Sequence, residues 1–191
     1  MSKYLILGNN KVDGYDKYKG TYRTTPYYVD NECEDSEVNQ HFFWYVDEIE
    51  QFGFLSNLEK TKKMVELYNK LASPIKFDLV RITESRHETR IEEEFLGFDL
   101  CDRYHYSLLS WNLDIGLKKY KNDKILKMIE PLINLVREYF KPVLNRYGLF
   151  DDIETAQFCL DCMMSLQDIR PGLWENEDFK FEVTGLSRII K

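Results

Sequence analysis

Phe95-Leu96-Gly97-Phe98-Asp99-Leu100-Cys101 is the stretch whose reading decides the fold. In an extended chain alternate side chains point to opposite faces, so Leu96, Phe98 and Leu100 share one face and Asp99 takes the other. The stretch therefore reads as a half-buried strand. Just upstream, residues 76–83 alternate in the same way, with Phe77, Leu79 and Arg81 on one side. Residues 85–94 between them are charged and read as a hairpin loop or a solvated strand end. Further strands are expected at 3–7, 21–29, 104–113 and 179–186. Pro26 makes the second of these an edge strand or a broken one.

Helical periodicity fills the rest. Val38, Phe42, Tyr45 and Ile49 recur at helical spacing, so a helix is expected from about Ser36, capped by Asp35 or Ser36 and stopping near Gly53. A second runs over 57–72, with Leu58, Thr61, Val65, Tyr68 and Ala72 on one face. The longest is expected over 122–147. Its stripe is Ile125, Ile129, Leu132, Ile133, Val136, Phe140 and Leu144, with a kink or break at Pro131 or Pro142 and a stop at Gly148. Asp151-Asp152 cap a fourth helix to about Leu166, with Ile153, Ala156, Leu160, Met163 and Met164 inward. Strands and helices do not alternate regularly as in a parallel doubly wound sheet. The expected fold is α+β: a largely antiparallel sheet packed by about four helices, one pair of layers, in a single domain over residues 1–191. Its length permits a core without disulfide staples.

The formal net charge is -7. A phosphate backbone repels such a chain, so nucleic acid is not an expected partner, and a basic protein is. The apolar run after Met1 is too short for a secretory signal, and Phe42-Phe43-Trp44-Tyr45-Val46 is far too short to span a membrane. A cytoplasmic protein without a membrane segment is expected, its four cysteines reduced.

The charge is uneven. From Thr24 to Glu59 there are nine acids and no Lys or Arg, together with Phe42, Phe43, Trp44 and Tyr45. Residues 151–182 carry nine acids against Arg170 and Lys180, while 117–146 carry eight basic residues against Asp123, Glu130 and Glu138. One reading is that these segments neutralise one another within the fold. The other is an acidic face anchored by aromatics, in which Trp44, Tyr45, Asp47, Glu48 and Glu50 contact a cationic protein.

Few residues suggest chemistry. Cys159-x-x-Cys162 lacks a second pair for zinc and lies within an expected helix, so buried core thiols are the expected reading. No metal and no cofactor is expected. Asp99, Asp102 and His105 lie three apart at the end of the central strand. Such groups serve metal-assisted hydrolysis or acid–base catalysis, although turn-forming and capping acids explain the spacing equally. A noncatalytic binding protein is the leading expectation. A metal-assisted hydrolase using those three residues is one alternative, and a structural or oligomeric module is another.

The segment Phe95-Leu96-Gly97-Phe98-Asp99-Leu100-Cys101-Asp102, followed by Ser107-Leu108-Leu109-Ser110, resembles a pattern in small bacterial proteins. Several of those are similar to immunity proteins of toxin–immunity systems. The resemblance covers about a tenth of the chain and implies a noncatalytic cytoplasmic protein that occludes a toxin. It assigns no contact residues.

Overall fold

A computed structural model describes residues 2–9, 22–23, 54–71, 76–101, 124–169 and 180–190. The expected helix from Ser36 and the expected strand over 104–113 lie outside them. Five strands form one antiparallel sheet: β1 (Tyr4–Asn9), β2 (Tyr22–Arg23), β3 (Lys76–Thr83), β4 (Glu93–Cys101) and β5 (Glu182–Ile189). Their order across the sheet is β2-β1-β3-β5-β4. Three α-helices accompany them: α1 (Leu58–Leu71), α2 (Lys124–Phe140) and α3 (Ile153–Ile169). The α+β class and the antiparallel sheet hold. Among the described residues there are three α-helices, not about four.

The strand order corrects one expectation. Residues 85–94 do not close a hairpin, because the C-terminal strand β5 is inserted between β3 and β4 and pairs with both. The connection is a short 3-10 turn, Arg86–Glu88, and it lets the chain step across one strand position. A second correction concerns β4. The β4–β5 register shifts between Phe95 and Gly97. This bulge adds one residue and resets the alternation. Phe98 and Leu100 therefore join the core cluster under α2 and α3, while Leu96 joins a cluster on the opposite face. A third is local: β1 runs past its expected end at residue 7, with Gly8 and Asn9 pairing with Phe77 and Lys76.

Cross-strand register puts all three helices on one face. Tyr4, Ile6, Phe77 and Leu79 bury themselves against Met64, Leu67 and Tyr68 of α1. Phe98 and Leu100 pack with Ile129, Ile133 and Phe140 of α2 and Ala156, Cys159, Leu160 and Met163 of α3. Each such side chain removed from water contributes roughly 1.5–3 kcal/mol before entropy is set against it. The opposite face is also buried, through Leu5, Leu7, Val80, Leu96, Leu149 and Leu186.

Helix ends follow local chemistry. Asn57 caps α1, its side-chain oxygen accepting the Lys60 amide at 3.0 Å. Asp152 does the same for α3, accepting the Thr155 amide at 2.7 Å. Pro131 sits inside α2, and the helix ends only at Phe140, where Pro142 falls in a 3-10 turn, Lys141–Val143. The expected helix to residue 147 is thus broken at the second proline. Gly148, with φ 72°, turns the chain a few residues later.

Candidate functional site

Most ionisable side chains that the fold encloses are committed to holding the sheet together. Arg81 and Glu93 lie on the helical face, between the two apolar clusters, with Ser187 of β5 in the same row of cross-strand partners as Arg81. Arg81 Nε donates to Glu93 Oε1 at 2.7 Å and Nη2 to Oε2 at 2.6 Å; Nη2 also donates to the Glu88 carbonyl at 2.6 Å. Burial works against the Glu93 carboxylate, but Arg81 and the Arg90 amide more than offset it and hold its carboxyl below the usual range. The hydrogen bond to Glu93 in turn raises Arg81 above its ordinary value. This is a cross-strand brace.

A second cluster occupies the opposite face. Glu94 accepts from Arg188, from Arg146 at 2.8 Å and from the Tyr147 hydroxyl at 2.5 Å. Arg188 also donates to Asp78 at 3.3 Å. Burial opposes the charge on Glu94, yet the Tyr147 and Arg188 hydrogen bonds keep its carboxyl low. Burial and the Glu94 hydrogen bond push the Tyr147 hydroxyl up. The cluster joins β3, β4 and β5 to the turn at 145–149 through charge-assisted bonds.

The residues of the hydrolase alternative fare differently. Asp99 is buried on β4, on the face opposite Phe98 and Leu100, paired in register with Thr184, and its Oδ1 accepts the Leu100 amide at 2.8 Å. Asp102 and His105 lie outside the described residues. Trp44, Tyr45, Asp47, Glu48 and Glu50 also lie outside them. Among the described residues no cluster of three or more His, Cys, Asp and Glu forms a metal site, and no helix is long and apolar enough to cross a membrane. Cys159 is buried in the core side of α3 as expected, whereas Cys162 is only partly buried beside it. Burial and neighbouring Cys162 push the Cys159 thiol up to about 12, far from the range of a reactive thiolate.

Sequence reasoning missed one feature. The stripe along the longest helix was expected to face inward throughout, but Ile125 and Leu132 are open to solvent. So are Met128, Leu135 and Tyr139 on the same helix, and on α3 Phe158 and also Ile153, which was expected to face inward. The signal was present as a second run of apolar residues, at 125, 128, 132, 135 and 139.

No protein-family model, curated protein or solved structure matches the chain.

Proposed function

We propose that the chain is a noncatalytic binding protein of the immunity type, acting in the cytoplasm to occlude a basic bacterial toxin. Its contact segment is the acidic, aromatic stretch around Trp44, Tyr45, Asp47, Glu48 and Glu50. The partition of charge supports this reading. The chain carries 33 Asp or Glu against 26 Lys or Arg, a formal net charge of -7. Eight of the acids fall between Asp30 and Glu50, where there is no Lys or Arg. An acidic segment speeds encounter with a cationic surface, and aromatic anchors slow release.

The test is capture of the product of the adjacent gene by the purified chain, with a salt titration, alongside protection of cells expressing that product. Binding should weaken as salt rises. Trp44→Ala should weaken it by roughly 30-fold, the loss of one anchoring side chain. Failure to bind together with failure to protect would remove the proposal.

A further inference from the structure

We infer that the outward face of α2 docks a second copy of this chain, the two helices packing antiparallel about a two-fold axis close to Glu130. The helix carries two apolar stripes. Ile129, Ile133 and Phe140 are buried against the sheet and α3, with Val136 packed beside them. Ile125, Met128, Leu132, Leu135 and Tyr139 form the other, exposed by 49, 78, 46, 66 and 62%. Their spacing alternates three and four residues without interruption, the 3.5-residue period of a helix–helix seam. A single stripe suffices to fasten a surface helix to its own domain. The second is therefore in excess of what the fold of the described residues uses.

The patch continues onto α3. Phe158 is exposed, and its ring meets Tyr139 edge-on at 6.3 Å and Phe140 at 5.5 Å. Ile169 is exposed farther along the same helix. Contiguous apolar surface of this kind marks an interaction site on a folded protein.

The flanking residues identify the occupant. The position preceding each first residue of the repeat holds Lys124, Pro131 and Glu138, seven apart. In an antiparallel pair these flanks of the two helices lie on the same side of the seam. When Met128 packs on Leu132 and Ile125 on Leu135 of the second copy, Lys124 comes within side-chain reach of its Glu138. Two-fold symmetry makes the same ion pair twice. A parallel pair would instead set Lys124 against Ile129 and Glu138 against Val143, with no ionic complement. The surface is thus self-complementary in one orientation, and it uses none of the residues assigned to toxin contact.

Sedimentation velocity of the full chain alone, over roughly 1–50 µM, reads the outcome without a toxin. A concentration-dependent dimer is expected. Leu135→Glu should leave a monomer with unchanged circular dichroism, since the side chain is exposed. Lys124→Glu or Glu138→Lys alone should each weaken the dimer about tenfold by placing like charges together, and the two combined should recover it. That recovery is the decisive reading if Leu135→Glu perturbs folding. A chain that stays monomeric to the highest concentration overturns the inference, as does a dimer indifferent to Leu135→Glu or a charge-swapped double variant no tighter than the single ones. A monomer would leave toxin capture as a separate question with its own readout.

Discussion

Arg81 of β3 and Glu93 of β4 meet across the strand that separates them, making a two-pronged ion pair whose side chains are only 7% and 3% exposed. The pair ties together two strands that share no backbone hydrogen bonds. It sits where a continuous apolar core would otherwise run from α1 to α2 and α3.

Removing one partner leaves the other charged and buried. Arg81→Met and Glu93→Gln should each destabilise the chain by about 3–5 kcal/mol. The double variant Arg81→Met/Glu93→Leu should recover most of that loss, because neither charge then remains. Chemical denaturation of the three variants measures this. Equal losses in the single and double variants would show that the pair acts through packing alone.

Acid should unfold the protein partly through the same carboxylate. Glu93 titrates below its ordinary value of 4.5 in the folded chain, so as pH falls the unfolded state takes up its proton first. Its contribution is complete above about pH 4.5 and is lost as the pH falls through the lower folded value. Glu94, also held low, adds in the same direction. Melting temperatures between neutral pH and pH 3 should fall below that point, and less steeply in the Arg81→Met/Glu93→Leu variant.

Gly97 occupies the β4 bulge with φ +137°, and a Cβ there would lie 2.7 Å from both Leu149 Cβ and the Phe150 carbonyl oxygen. That space is closed because Phe98 and Phe150 bridge through backbone hydrogen bonds of 2.7 and 2.9 Å. Gly97→Ala combines backbone strain with overpacking and should cost about 2–4 kcal/mol. A melting temperature within a degree of the parent would contradict this placement of the turn at 145–150.

Asn145 organises that same turn. Its amide nitrogen donates to the Leu96 carbonyl and to Asp151, both at 2.8 Å, and its oxygen accepts the Tyr147 amide at 2.9 Å. Asn145→Ala strands the Leu96 carbonyl and should destabilise by roughly 1–3 kcal/mol. Hydrogen exchange at Tyr147 should quicken with it, and unchanged protection there would count against the assignment.

The two helix cysteines should differ in reactivity. Cys159 is fully enclosed with its thiol pushed up to about 12, whereas Cys162 is only half-buried, its thiol raised by burial and by Asp161. At pH 8, iodoacetamide should modify Cys162 first and Cys159 only when the chain unfolds. Peptide mass spectrometry resolves the two sites, and equal rates would place Cys159 nearer the surface.

Local patterning sufficed for much of the fold. Strand β3 was legible at its full length from alternation, Asp152 announced the start of α3, and the apolar residues up to Leu166 marked it as a core helix. These features depend on neighbours within a turn or a strand's length, which the order of residues contains. The strand order, the side on which Leu96 falls, the partner of Glu93 and the outward stripe of α2 were settled only by tertiary structure. Each depends on which distant segment arrives alongside. The insertion of β5 between β3 and β4 turned a charged loop into half of a buried ion pair. The β4 bulge reversed one side chain, and a helix with two apolar stripes shows which one faces the sheet only once it has docked.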